Sequence, residues 1–497
     1  MLASLTASEL FPFQRSILAK TRIFTEELDE EIRGQRGRPL VPLRVLVGGL
    51  LLATGNRRRF TITEIEIFFH SASQDELAAV WEPDGVIDVS GSHSLWPRPS
   101  RWQLYRTLAA LKRGVRASRG DAEGQLSSLE SLLEAKGSEE VLTELANRLI
   151  DESHPKDEAG EEWAVDTTYI DAACKKISQA AILEGQRASD PDARWRVIEQ
   201  NGKVARSYFG YGIEAYCQTG PREFLSSIAV GSADRDDRPP SMRLLKRMLD
   251  QGIPVKRLAM DRGFSQAPAF LEAVRSLGCS PVFDLKKGQA GRTPSWRGCV
   301  ILDGWPFVPS VPRRLWDLPK PDIRASKALK DKWHANMAER LKYMLLPNGG
   351  ETPTEIRVQS PLFRNRHLGC PLVPGSMRNR DKSLAVCSGD HGEDEACCLR
   401  NGTWKAEFAT WTFQYPVYGS PDWTKQYRKR SAIERKFSQV KNSDVIGLRP
   451  GSFRLRGVTS MTLLFTVAAI THNLRLQARA VAETRGSPPT GALPAAA

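Results

Sequence analysis

A chain of 497 residues exceeds one ordinary domain, and 41% hydrophobic with 26% charged residues excludes a disordered polyelectrolyte. The formal charge of +13 favours polyanionic partners, nucleic acid first among them. Eight cysteines over this length exclude a disulfide framework, and the longest apolar run, 40–54, is broken by Arg44 and too short for a bilayer, so no signal peptide, no membrane span and a cytoplasmic setting are expected.

Residues 1–115 read as a helical N-terminal region and a candidate DNA-binding unit. A buried helix is expected over Pro42–Thr54, and Thr61-Ile62-Thr63-Glu64 opens another in the manner of a capping box. The stretch Thr63–Trp81 fits a helix-turn-helix with Ser71-Ala72-Ser73 as its turn, and equally a plain helical hairpin that touches no groove. The basic run Arg57-Arg58-Arg59 lies just before it. Residues 116–160 are charged and helix-prone, which fits a connector.

The pattern changes over 161–285. Strand-like alternation occupies Trp163–Ile170, Ser207–Gln218 and Phe224–Gly231. Helical spacing follows at Pro239–Gln251, then a short strand at Leu258–Met260, a helix at Pro268–Leu277 and a strand at Pro281–Leu285. Such an order predicts a mixed-sheet α/β core. A polar break at Lys286–Arg292 introduces 286–420, whose prolines and short apolar runs suggest a β-rich insertion. Helices resume over 421–480, at Trp423–Lys441 and Val458–Arg475. The remainder, 481–497, is rich in Pro, Gly and Ala and is expected to be disordered.

Two aspartates stand where packing explains them poorly. Asp166 follows Trp163-Ala164-Val165, and Asp261 follows Leu258-Ala259-Met260, so each is expected to leave a buried strand into a turn. Neighbouring strand ends would bring two hard oxygen ligands together, and Gly263 lets the chain turn past the second. A third ligand is expected from another element. At about 100° per residue, Tyr427, Arg430, Glu434 and Lys441 share one face of a helix, within an arc of about 60°. Ile433, Phe437 and Val440 occupy the adjoining sector and would anchor that helix. The segment 422–456 holds ten Lys or Arg against three acids, a local polyanion signal sharper than the whole-chain charge.

At these residues the chain resembles the DDE transposases of bacterial insertion sequences, in the branch marked by Tyr-x2-Arg-x3-Glu-x6-Lys. The signature is met at Tyr427, Arg430, Glu434 and Lys441; Val165-Asp166-Thr167-Thr168 and Met260-Asp261-Arg262-Gly263-Phe264 are similar to the first and second aspartate motifs. The three acids are separated by 95 and 173 residues, the second gap being long as in relatives with a β-rich insertion. Thr471-His472-Asn473-Leu474-Arg475 is similar too, and the likeness spans about residues 160–475. The resemblance implies an RNase H-like fold and two Mg²⁺ ions, for which Mn²⁺ can substitute, held by Asp166, Asp261 and Glu434 about 3.5–4 Å apart. It implies cleavage of transposon ends and attack of the freed 3′-OH on a phosphodiester. The implied partners are double-stranded DNA with terminal inverted repeats, target DNA and a second copy of the chain, in a bacterial cytoplasm and on the nucleoid when DNA is bound. Tyr427, Arg430 and Lys441 would grip phosphates, with Arg262 assisting.

Two features of the insertion stand apart. Seven of twelve tryptophans lie between 286 and 423, which fits large core side chains of a β module or an aromatic that stacks on a flipped base. Cys370, Cys387, His391, Cys397 and Cys398 cluster within 29 residues, a spacing that suits Zn²⁺, although no Cys-x2-Cys pair is present and buried thiols explain it as well. The other cysteines and His472 read as core residues. Two other functions fit the chain: an RNase H-like nuclease or recombinase without strand transfer, and a domesticated, non-catalytic DNA-binding protein.

Overall fold

The N-terminal helices are held together by apolar faces that meet one another. In the computed structural model of the chain, α1 (Ala7–Lys20) lies against α2 (Leu43–Gly55), and the Gln14 amide donates to the Leu51 carbonyl at 2.8 Å. Apart from Arg44 and Thr54, α2 carries only apolar residues and glycine, so it is buried almost all round. Gly49 permits this: a Cβ there would sit 2.6 Å from the Phe69 ring. That ring belongs to α3 (Ile62–Ser71), which starts at Thr61, whose hydroxyl accepts from the Glu64 N–H at 3.1 Å. A two-residue turn, Ala72-Ser73, leads into α4 (Gln74–Trp81). This pair matches the expected hairpin. Helix α4 buries Leu77, Ala78, Ala79 and Val80 and opens with Asp75 and Glu76. Helix α5 (Arg101–Ala117) completes the group, and α6 (Glu140–Asp151) leads into the sheet.

The structure describes residues 7–22, 25–26, 41–55, 61–81, 96–117, 140–155, 160–200, 203–220, 222–286, 289, 292–322, 324–364, 368–370, 374–377, 385–386, 401–409, 411–442, 448 and 453–484. Arg57-Arg58-Arg59 lies outside them, as do Cys387, His391, Cys397, Cys398 and the expected tail beyond residue 484. Of the zinc candidates only Cys370 is described, and it is buried.

A six-stranded mixed sheet follows. Its strands are β1 (Glu162–Asp171), β2 (Arg194–Gln200), β3 (Lys203–Gln218), β4 (Leu225–Ser232), β5 (Arg257–Met260) and β6 (Ser280–Phe283), with a short helix α7 (Gln179–Leu183) after β1. The order β2-β3-β1-β5-β6 joins antiparallel pairs on one side to the parallel pairs β1–β5 and β5–β6 on the other; β4 pairs with β3. Helices α8 (Arg238–Asp250) and α9 (Pro268–Ser276) are the crossovers that parallel strands require. Every strand expected over 161–285 is present; β2 and α7 are additional.

Alternation along β1 divides the interior in two. Trp163 and Val165 join the core of α8, α9 and the insertion, whereas Ala164 and Ile170 join the core of the N-terminal helices. The insertion contains β7 (Arg292–Trp296), β8 (Cys299–Leu302) and β9 (Trp305–Phe307) as one sheet. It continues with α10 (Lys327–Arg340), β10 (Leu346–Glu351), β11 (Glu355–Gln359), β12 (Leu368–Gly369), α11 (Pro374–Met377), β13 (Ala385–Val386) and β14 (Gly402–Lys405). Its many short strands fit the expectation of β structure, but among the described residues helix is about as frequent, owing largely to the fourteen-residue α10, which is not expected. Trp305 and Trp404 fill its interior, and Trp411 is half exposed. The chain ends in α12 (Pro421–Arg428), α13 (Ser431–Asn442) and α14 (Val458–Thr484). The last runs nine residues past the expected Arg475 and four past the expected boundary at 480. His472 on α14 is buried and pushed down to about 3 by burial and by nearby Lys436 and Arg475, so it is a neutral core residue. It is not the satisfied histidine expected, because its Nε2 has no hydrogen-bond partner among the described residues.

Strand β4 pairs with β3, and part of its remaining polar edge is closed by two fully buried asparagines. Asn147 of α6 accepts from the Ile228 N–H at 2.7 Å and donates to the Ile228 carbonyl at 2.9 Å. Asn473 of α14 treats Leu225 the same way, at 3.0 and 2.7 Å, and donates to Ser153 as well. These amides imitate a missing strand. Asn473→Leu and Asn147→Leu should each lower unfolding free energy by about 1–3 kcal/mol by stranding buried backbone groups. Chemical denaturation of each variant measures this, and an unchanged midpoint would show the clamp to be dispensable.

Candidate functional site

The parallel pairing of β1 with β5 ends at Val165 opposite Met260. Asp166 and Asp261 therefore stand side by side, each one residue beyond the last pair. Asp261 leaves its strand into the turn Arg262-Gly263, as expected. Asp166 does not: β1 continues to Asp171 along its other edge, where Asp166 lies opposite Ala215 of β3. It is thus a mid-strand residue whose neighbour on one edge has stopped, and 17% of its side chain is exposed.

The signature residues depart from the single helix expected of them. Helix α12 stops at Arg428, and α13 begins at Ser431, with Lys429 and Arg430 in the turn between. Lys429 pins that turn by pairing with Glu162 at the start of β1. Buried Ile433, Phe437 and Val440 seat α13 on the sheet as anticipated. Despite the break, Tyr427, Arg430 and Glu434 still converge, while Lys441 reaches β1 further along. Arg430 lies 5.6 Å over the Tyr427 ring, reaches Asp166 Oδ2 at 3.4 Å and pairs with Glu434 Oε1 at 2.9 Å. Glu434 is half exposed. Lys441 donates to the Thr168 hydroxyl and, at 2.7 Å, to the Tyr169 carbonyl.

Electrostatics bind these groups into one unit. Burial raises the Asp166 carboxyl from 3.8 to about 7; Arg430 opposes the shift, while Asp261 and Glu434 add to it. Burial works against the Arg430 charge, but Tyr427, Asp166, Glu434 and Asp261 more than offset it and hold the guanidinium firmly protonated. Burial, helped by Arg206, pushes Lys441 down to about 8. Three carboxylates and one guanidinium thus share a partly dry space. Among the described residues no three His, Cys, Asp or Glu side chains lie close enough to hold a metal ion as they stand. The donors are nonetheless all hard oxygens, and Arg430 supplies positive charge where the acids need it.

Sequence reasoning missed Asp284. The pairing of β5 with β6 ends at Met260 opposite Phe283, so Asp284 extends the row Asp166-Asp261 by one strand. It is buried, and three groups converge on it. Arg262 donates to its Oδ2 at 2.8 Å, Lys320 to the same oxygen at 2.9 Å, and the Tyr418 hydroxyl to Oδ1 at 3.0 Å. Arg262 therefore rests on a carboxylate, with about half of its side chain exposed. Lys320 also lies 5.1 and 5.3 Å from the rings of Trp423 and Tyr427, which stack on each other with centroids 5.0 Å apart. The signal available was a third apolar run ending in aspartate, Val282-Phe283-Asp284. Asp237, which accepts from the Thr167 hydroxyl at 2.9 Å, carried no such signal.

The raised Asp166 value fixes the sign of a pH effect. A carboxyl held above its ordinary 3.8 in the fold contributes stability below that pH and loses it as pH rises through about 7. In metal-free buffer Asp166→Asn should therefore match the parent protein in acid and melt at a higher temperature above pH 7. Melting curves taken across that range test it, and an equal or lower melting point at pH 8 would contradict the desolvation account. No family model, no curated protein and no solved structure matches the chain.

Proposed function

We propose that the chain is a divalent-metal-dependent DNA strand transferase of the DDE transposase type, built on an RNase H-like core. One observation carries the reading. Asp166 and Asp261 stand on adjacent parallel strands, and Arg430 connects Asp166 to Glu434 within a motif that matches Tyr-x2-Arg-x3-Glu-x6-Lys at every fixed position. A buried carboxyl held up to about 7, with the charges of Asp261 and Glu434 adding to its shift, is the arrangement that a divalent cation would relieve.

Asp166, Asp261 and Glu434 would hold the metal. Bound there, divalent ions supply Lewis acidity to the attacking and leaving oxygens of a phosphodiester. The chain's own residues do the rest. Arg430, oriented by the Tyr427 ring, binds a phosphate oxygen beside the acids. Lys441 ties α13 to β1 through Thr168 and Tyr169 and keeps Glu434 facing Asp166. Water attack at a transposon end breaks a P–O bond and leaves a 3′-OH; attack by that hydroxyl on a second phosphodiester joins the strands, with the displaced oxygen taking up a proton. The charge of +13 supplies the long-range attraction to DNA.

Two measurements test this. Asp261→Asn should lower Mg²⁺-dependent cleavage and joining of a DNA carrying the element's ends by at least about 10³-fold, in line with loss of transition-state charge stabilisation. Undiminished joining would end the assignment. Independently of activity, Mg²⁺ should raise the melting temperature of the parent protein and leave that of Asp166→Asn nearly unmoved. Equal shifts in both would place the ion elsewhere.

A further inference from the structure

Arg262 and Lys320 come from different parts of the chain. Arg262 follows the second aspartate, and Lys320 belongs to the insertion, 58 residues on. Both donate to one oxygen of Asp284, at 2.8 and 2.9 Å. One carboxylate cannot neutralise two cations, so the cluster keeps a net positive charge. That charge is accessible, since half of Arg262 and a third of Lys320 are exposed while Asp284 is almost wholly covered. The other Asp284 oxygen is fixed by the Tyr418 hydroxyl, which leaves the carboxylate no freedom to follow one cation away from the other. Two exposed cations held against one buried anion form a preorganised site for a single phosphate. The location suits that ligand, because Arg262 is the next residue after Asp261.

We propose that Asp284 is a positioning residue that holds Arg262 and Lys320 together as a two-pronged clamp on one DNA phosphate beside Asp261. The clamp ties the insertion to the catalytic edge, since Lys320 also covers the stacked Trp423 and Tyr427. It rests on the strand-transfer reading for its ligand, and its test is separable from that reading.

The test uses the full chain and a short fluorescein-labelled DNA duplex titrated at several salt concentrations. Asp284→Asn removes a negative charge, so charge alone would tighten binding. The clamp requires the reverse: binding weakened about tenfold, with the salt slope smaller by about 0.9, the value of one phosphate contact. Unchanged or tighter binding would overturn the proposal. A second measurement stands if Asp284→Asn does not fold. Arg262→Gln and Lys320→Met alter exposed side chains; each should weaken binding about tenfold, and the double variant hardly more, because both prongs serve one phosphate. Multiplying effects, or no effect from either, would equally overturn it. A parent protein that shows this coupling but never cleaves DNA with Mg²⁺ would sink the strand-transfer reading and leave the clamp standing. Cleavage without coupling would do the opposite.

Discussion

The pairing of Val165 with Met260 determines where the charged groups of the site can go. A parallel pair fixes both the spacing and the direction of its two strands, so the residues that follow must emerge together at one edge. Asp166 and Asp261 are those residues. Everything else accommodates the charge this creates. Arg430 leans across from the turn between α12 and α13, Glu434 takes its other side, and Lys441 holds β1 where it runs on alone. Asp284, one strand further, carries a positive pair of its own. The edge therefore carries an aspartate on each of three strands, with Arg430 beside the first and Arg262 and Lys320 beside the third.

Such an edge costs stability. Carboxylates in a dry space repel one another, and the sheet must keep them there against that repulsion. The protein does so by packing both faces. The N-terminal helices with α13 and α14 cover one face, and α8, α9 and the insertion cover the other. Burial of the sheet and desolvation of Asp166 have the same origin, while Glu434 on α13 keeps half of its side chain in solvent.

Much of the fold was legible because its strands and helices are amphipathic in the plain sense. The alternation in Trp163–Ile170 and the spacing of Ile433, Phe437 and Val440 report which faces are inward, and the structure agrees. What escaped depended on partners far away in sequence. Asp166 was expected in a turn because its own strand says nothing of the two edges having different lengths. The break at Lys429-Arg430 has neither glycine nor proline to announce it; Glu162, more than 260 residues earlier, holds it. Strand β2 was missed because its alternation faces solvent in part, with Val197 exposed. Helix α10 offers only Trp333 and Met337 as buried apolar residues among its charges. Asp284 matters only through its register with Asp261, and register is a property of pairs.

The asparagine clamp on β4 joins parts of the chain that lie far apart in sequence. Asn473 and the apolar face of α14 close the same core that α1, α2 and α6 open, although about 300 to 440 residues separate them. Without α14 the Leu225 N–H and C=O of β4 lose the amide that pairs them, and the first helices lose a partner they share. Loop-closure entropy opposes these long-range contacts more than the local contacts among the N-terminal helices themselves. Helix α14 is therefore the shared wall between the N-terminal helices and the sheet, and losing its packing would open both at once.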